Sequence, residues 1–579
     1  MSLCERIRDG VTRWRTAIGV NLPNHWVTSF ILCLIPAISY GSAMTVSGQL
    51  LDCYKDVLCT PFGRRVTDVE GTAFVTWMIL THIIFTFWCG SLIETYGSRA
   101  MLVSSCFIAV FGWNFLLGYR HIYLAYLGRA ILGMASGLGV ASAYTHLDEI
   151  ATPANKGQLN IFFTMTLNLG SLISLLLSYF FDATTLPLML LLFPWSMVVC
   201  RGFLAEGPQH SVRTRTKEST FDTLLKLRPD MMSAMREFVD LESENMKRLT
   251  MRETFSKFKQ PEVFLPFILM STLMFFQVSL GNDALTYFNV DLLRQSGIEN
   301  DFLKIVAISQ VIFNAVGYLA GGIFFKSMTR RRQILFFGFW HGLAMALVGV
   351  FTLYSEILAA VLGPWLNRIV ATFLLSLPMF FYGSSYGSVC FGMLAEVFPP
   401  HVKPVLCSIV LCFRYTVVYC NMQVMGSLMK SIPMPYFFFF FAFITFVGNC
   451  VVYFIPETSR KSSAEIKNIF LNAWNKWFPS REPVKTSSVP ENAAIHPSSN
   501  GNEADLEHRL ADFDPEGVVL DNVHGDNDQL GLVREGMAKG DGQKDFEVGP
   551  ESCASHNESP TSSISEGSEL DSVNRLLIE

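Results

Sequence analysis

Residues 128–170 read GRAILGMASGLGVASAYTHLDEIATPANKGQLNIFFTMTLNLG. Arg129 opens the run behind Gly128, and small residues follow at Gly133, Ala135, Gly137, Gly139 and Ala141. The run ends on Glu149, is interrupted by Pro153 and Lys156-Gly157, and gives way to a second apolar run. Small residues on a helix face let two helices approach closely inside a membrane, where no hydrophobic force drives them together. An arginine or a glutamate at the end of such a helix has no low-cost place in lipid. It belongs at a water boundary or inside protein. The stretch reads as two membrane helices joined by a short polar turn.

The remainder of the chain extends that reading. Half of the residues are hydrophobic, 13% are aromatic and 16% are charged, whereas soluble domains carry about 25% charged residues. Twelve apolar runs are each long enough to cross a bilayer as a helix. They begin near Val27, Gly71, Met101, Tyr123, Gln158, Leu186, Val263, Phe302, Gln333, Gly363, Pro404 and Pro435. Most are apolar all round, which argues against a large soluble helical protein built from amphipathic helices. The first run is too long for a signal-peptide core and lacks a cleavage pattern, so it reads as a retained helix.

Six runs fall within 27–204 and six within 263–455. A segment of 26 residues precedes them. The polar connection 205–262 is longer than a hairpin needs, and Thr220–Leu227 and Met231–Lys247 have helical spacing. Residues 456–579 form a tail. Between Arg481 and Glu579 roughly 21 acids face about 7 bases, too polar a mixture to bury a core, so the tail is expected to be mostly disordered.

Lys and Arg set the orientation. They gather at Arg6, Arg8, Arg13 and Arg15, at Arg99, at Lys156, through the central connection, and at Lys326, Arg330, Arg331 and Arg332. Both termini are therefore expected to be cytoplasmic. Cys53 and Cys59 fall in the first outside loop, where a disulfide can form. The other cysteines are scattered, as free thiols buried in helices are. No metal-ligand spacing, nucleophile–base set or phosphate loop occurs, so neither an enzyme, a cofactor nor a nucleic-acid partner is indicated. The expected partners are a small solute, the bilayer and, for the tail with Leu576-Leu577 near its end, trafficking proteins.

The order Gly-Arg, spaced glycines, Glu149, Lys156-Gly157 resembles the fourth-to-fifth helix signature of the sugar porter family of the major facilitator superfamily, with lysine in place of the usual arginine. The resemblance runs over roughly residues 27–466. It implies an all-α membrane protein of twelve transmembrane helices in two pseudo-symmetric bundles of six, with substrate held between them. Gly90-Ser-Leu-Ile-Glu94-Thr-Tyr-Gly97-Ser-Arg99 resembles the superfamily loop between helices two and three, with Ser98 replacing one arginine. Its second copy, Lys326 to Arg332, lacks the acid and the turn glycine. By the resemblance, Glu94, Arg99, Arg129, Glu149, Glu206, Arg331, Glu396 and Glu457 form a cytoplasmic gating network.

The family holds sugar hydroxyls with amides and an aromatic ring, groups suited to neutral polyols. Carried over residue by residue, that set is Thr164, Gln277, Asn282, Asp283, Asn314, Phe391 and Arg414. Thr164 replaces a glutamine, Phe391 a tryptophan, and Asp283 and Arg414 each an asparagine. These two charges either pair with each other or hold a charged group of the substrate. Tyr40-Gly41-Ser42 occupies the place where proton-coupled members carry an acid in helix one. The resemblance therefore implies an alternating-access transporter, of a sugar or polyol by facilitated diffusion. An organic-ion carrier of the same superfamily and a non-transporting sensor that signals through the tail are the other readings. His82, His146 and His341 read as hydrogen-bonded core residues.

Overall fold

The computed structural model describes residues 24–54, 66–117, 121–152, 155–228, 231–243, 253, 256, 260–282, 300–399, 402–428, 432–458, 461 and 463–477. Among these there is no strand. Asp283, Cys59 and the tail beyond Trp477 lie outside the described residues, as does the side chain of Cys53, so the expected disulfide and the Asp283–Arg414 pair do too.

The first six long helices are α1 (Asn24–Tyr54), α2 (Asp68–Tyr96), α3 (Ser98–Leu117), α4 (Ile122–Ile150), α5 (Lys156–Phe180) and α6 (Leu186–Cys200). Three short helices follow: α7 (Pro208–Thr214), α8 (Lys217–Leu227) and α9 (Met231–Ser243). The second set is α10 (Pro261–Ser279), α11 (Asn300–Ser327), α12 (Arg330–Leu353), α13 (Ser355–Tyr382), a π turn (Gly383–Gly387), α14 (Ser388–Val397), α15 (Lys403–Leu428) and α16 (Met434–Tyr453). A last helix, α17 (Ser463–Trp477), packs on α10 through Phe264 and Trp474.

Eleven of these helical stretches are long and apolar enough to cross a membrane, and Val263–Ser279 is a shorter apolar helix. The chain is a multi-pass membrane protein. The tenth run begins where the sequence places it. Gly363 has φ +74, which breaks α13 ahead of the span Trp365–Leu394. The starts and stops have local causes. Thr67 and Glu70 cap the start of α2 reciprocally. Gly97, at φ +87, makes the turn into α3, a backbone shape that side-chain-bearing residues rarely take.

The two sets pack by one repeated scheme. In the first, α1 packs on α5, α2 on α4, and α3 on α4 and α6. In the second, α10 packs on α15, α11 on α13, and α12 on α13 and α16. The halves meet along two seams related by the same repeat, α2 against α15 and α5 against α11. At one end lie the α2–α3 and α11–α12 turns and helices α7–α9, and this is called the cap end below.

Close approach at the seams depends on glycine. At Gly90 a Cβ would meet the Pro404 carbonyl and the Val405 Cα of α15. At the cap end the Phe325 ring fills a seat left by Gly157 of the first half and Gly392 of the second. Gly157→Ala drives a methyl into that ring and is expected to lower the melting temperature of the purified protein, with about 1–3 kcal/mol of overpacking. Adding Phe325→Ala removes the collision, so Gly157→Ala should cost much less in a Phe325→Ala background than in the wild-type chain. Equal costs in both backgrounds would show that the ring is not what the methyl meets.

Candidate functional site: a polar seam at mid-depth and a charged cap

The mid-depth seam is built from α4, α5, α10, α11, α14 and α15. Asn314 of α11 donates through Nδ2 to Asn168 Oδ1 of α5 at 2.9 Å, an amide pair across the halves. Its own Oδ1 is buried and has no hydrogen-bond partner among the described residues. A buried acceptor left unmade costs about 1–3 kcal/mol, so it is a place where a ligand hydroxyl would gain by donating. Gln277 of α10 is fully buried. It donates to the Tyr386 carbonyl at 3.4 Å and accepts from Arg414 Nε at 2.9 Å. Asn282 is buried just beyond the end of α10, after Gly281 at φ +93.

Phe391 of α14 stacks on Tyr144 of α4, centroids 5.4 Å apart and planes at 13°. The Arg414 guanidinium lies 5.6 Å from the Phe391 ring centre and 4.8 Å from that of Tyr415. Thr164 does not stand alone. Its hydroxyl meets the Tyr144 hydroxyl at 2.8 Å and donates to the Asn160 carbonyl at 2.9 Å. The structure thus brings Gln277, Phe391 and Arg414 into one cluster, and ties Thr164 to it through Tyr144. Tyr144, Asn168 and Tyr415 are members that the sequence reading missed. Asn168 carried a signal: it lies four residues past Thr164, on the same face of a helix.

The three histidines are core residues with a hydrogen bond each. His82 Nδ1 meets Ser136 at 2.8 Å, His146 Nδ1 meets Ser98 at 3.1 Å, and His341 Nδ1 meets Thr445 at 3.2 Å. His82 also packs its ring against Tyr415 across the α2–α15 seam, at 3.7 Å between centroids. In α1, Tyr40 meets the Ser105 hydroxyl at 2.6 Å, and Ser42 donates to the Gly170 carbonyl at 2.9 Å.

The cap end holds most of the expected charges, with two corrections. Arg129 is not there. It lies twenty residues before Glu149 on α4, about 30 Å along the helix. Its guanidinium donates to the Ala43 carbonyl at 2.5 Å, to Ser47 at 2.6 Å and to the Phe74 carbonyl at 3.3 Å. The second correction concerns Arg331. The guanidinium that meets Glu396 belongs to Arg330, at 2.9 Å, while Arg331 lies over the Tyr453 ring at 4.6 Å and gives only its backbone N–H to Glu457, at 3.1 Å. One step along a helix turns a side chain by about 100°, so neighbours face different elements.

The other expected charges lie at this end. Arg99 pairs with Glu206 at 2.8 Å, Arg215 joins that carboxylate at 3.0 Å, and Glu94 pairs with Arg213 of α7. Ser98 and Arg330 each open the equivalent helix of their half, α3 and α12. Where Arg330 meets Glu396, Ser98 donates its hydroxyl to Glu149 at 2.8 Å. Arg228, in the turn between α8 and α9, pairs with Glu237 and donates to the Ile150 carbonyl at 2.9 Å, which ties the short helices to the end of α4.

The ion pair described between the halves at this end comes from a residue outside the expected set. Asp148 pairs with Lys403 of α15 at 2.8 Å and accepts from Asn160 at 3.2 Å. Beside it, Gln158 donates to the Gly322 carbonyl at 2.9 Å. With Phe325 in its seat, these contacts join the two halves at the cap end. Among the described residues no group of acids, histidines and cysteines is placed to hold a metal ion.

Comparison with known proteins follows the same outline. A family model described as sugar (and other) transporter matches residues 17–470. The chain is 24% identical over 474 residues to sugar transport protein 8 of Arabidopsis thaliana, covering 76% of this chain and 90% of that one. It is 23% identical over 447 residues to the facilitated trehalose transporter Tret1 of Polypedilum vanderplanki, covering 74% and 86%. Among solved structures it is similar to the proton:xylose symporter XylE of E. coli bound to 6-bromo-6-deoxy-D-glucose. The TM-score is 0.65 at 15% identity, over 77% of this chain and 99% of that one.

Proposed function

Because the chain belongs to the sugar (and other) transporter family and has the fold of the major facilitator superfamily, we propose that it carries a sugar or polyol across a membrane by facilitated diffusion, through alternating access. It is a transporter and not an enzyme. The observation that carries the substrate class is the Asn314–Asn168 pair. It puts neutral amides between the halves at mid-depth and leaves the buried Asn314 Oδ1 acceptor without a partner among the described residues, a place a substrate hydroxyl would fill by donating. Hydrogen bonding without net charge suits a polyol, and binding there draws on both halves at once. A ligand shifts the two-state equilibrium only through such differential contacts. The hydrogen-bonded hydroxyls of Tyr40 and Ser42 in α1 support diffusion without proton coupling.

In this reading the cap end is cytoplasmic, as its Lys and Arg content favours, and both termini share that side of the plasma membrane. Residues 27–204 and 263–455 are the two moving bundles, 205–262 braces them, and the tail 456–579, past the helix α17 that packs on α10, is left to trafficking partners.

The test is uptake of labelled glucose, fructose and trehalose into proteoliposomes, with and without a proton gradient. Saturable uptake of one sugar, unchanged by the gradient, is expected. Asn314→Ala should raise KM about tenfold, the worth of one hydrogen bond of about 1.4 kcal/mol. Absence of uptake for all three sugars in a protein shown to be folded would defeat the proposal.

A further inference from the structure

The α11–α12 turn carries four cations in seven residues, Lys326, Arg330, Arg331 and Arg332. Its counterpart in the first half is matched by acids of the protein: Arg99 has Glu206, and Glu94 draws in Arg213. The second turn has no acid of its own, and α12 begins with none in its first turn. The described contacts bring it two carboxylates. Glu396 takes Arg330, whose guanidinium is buried on the Phe325 ring at 3.3 Å. Glu457 accepts the backbone N–H groups of Arg330 and Arg331 at 3.2 and 3.1 Å, which engages it with the positive end of the helix.

Arg331 and Arg332 face outward from this arrangement. The Arg331 guanidinium rests on Tyr453 at 4.6 Å, and Arg332 is exposed. Among the described residues neither guanidinium is ion-paired: the Glu457 carboxylate beside Arg331 is held by backbone N–H groups. Beside them the surface is apolar and exposed: Phe336, one helical turn past Arg332, at 52%, Tyr453 under Arg331 at 57%, and its chain neighbour Phe454 at 79%. Arg331 and Arg332 lie in the first turn of one membrane span and Tyr453 ends another, so the patch sits where hydrocarbon gives way to headgroups. A net-positive cluster that rests on an aromatic ring and is bordered by lipid-facing side chains is complementary to a headgroup phosphate with its acyl chains beside it.

We propose that the Arg331–Arg332 corner binds the headgroup of an anionic phospholipid, and that this lipid completes the charge set of the second half. The lipid supplies from the bilayer what Glu206 supplies to Arg99 from the chain. Because Arg330 and Glu457 belong both to this corner and to the cap-end network, the bound lipid stabilises the joined cap end.

The test uses the full chain purified in neutral detergent, with phosphatidylcholine or phosphatidylserine added in equal amounts. Phosphatidylserine is expected to raise the melting temperature of the wild type above its value in phosphatidylcholine, and the shift should shrink with added salt. Arg332→Gln should weaken serine-lipid binding about fivefold and Arg331→Gln/Arg332→Gln about 25-fold, at about 1 kcal/mol for each basic residue. Lysine at both positions should restore most of the shift. If the double variant unfolds early in phosphatidylcholine, Arg332→Gln decides, because its exposed side chain holds nothing in place. A full serine-lipid shift in Arg332→Gln, or an equal shift from inorganic phosphate alone, overturns the proposal. The second result would mark a soluble-anion site instead.

Discussion

Asp148→Lys is expected to abolish uptake, and exchange of the pair, Asp148→Lys with Lys403→Asp, to restore much of it. Asp148 and Lys403 hold the two halves together at the cap end at 2.8 Å, with side chains only 9% and 16% exposed. Two like charges there repel in a half-dry seam. Simple neutralisation, Asp148→Asn, leaves an ammonium facing an amide. Breaking a fully buried pair costs about 3–5 kcal/mol. Discounted for the exposure of Lys403, about 2 kcal/mol is reasonable here, roughly a 30-fold shift toward the state with the cap open. Cys407 provides the readout. It is buried one turn beyond Lys403, with its thiol 3.8 Å from the Leu394 carbonyl. Its alkylation by a maleimide, followed residue by residue in a mass spectrometer, should speed up at least tenfold in Asp148→Asn and return toward the wild-type rate in the exchanged pair. An unchanged Cys407 rate in both single variants would mean that the ion pair does not hold the cap.

Depth and facing are what the sequence conceals. The helices were legible because an apolar run of membrane length has few alternatives, and the glycines mark where backbones meet. Motif order identified Glu149, yet the inter-half bond is made by Asp148, one residue earlier and about 100° around the helix. The same displacement separates Arg331 from Arg330. Arg129 is a different error. Its distance from Glu149 was legible as twenty residues of unbroken helix, which already excludes a place in the same network. Tyr144 was hidden by its setting among small residues. Only the packing of α4 on α14 turns it into the partner of Phe391. The short α7 was not expected either. Pro208 at its start marks a helix opening as readily as a loop.

The position of Arg129 leads to the other large effect. The residue is 1% exposed, and its guanidinium bonds acceptors on two neighbouring helices, the Ala43 carbonyl and Ser47 of α1 and the Phe74 carbonyl of α2. It also lies 5.2 Å from the Phe74 ring centre. One planar group therefore fastens α1, α2 and α4 together, in the half of the bundle away from the cap. Arg129→Ala opens a cavity and strips buried acceptors of their donors, which together cost about 4 kcal/mol or more. Little folded protein is expected. Arg129→Lys keeps the charge, but one compact ammonium lacks the fork that spans two helices. It should fold with a melting temperature several degrees lower and with the Cys407 alkylation rate unchanged. A gate residue would behave in the opposite way, as Asp148→Asn is expected to: nearly normal melting and a shifted conformation. If Arg129→Lys melts normally but exposes Cys407, the arginine works in the gate from a distance and the clamp reading is wrong. The two substitutions together therefore separate what holds the first bundle together from what lets the bundles move.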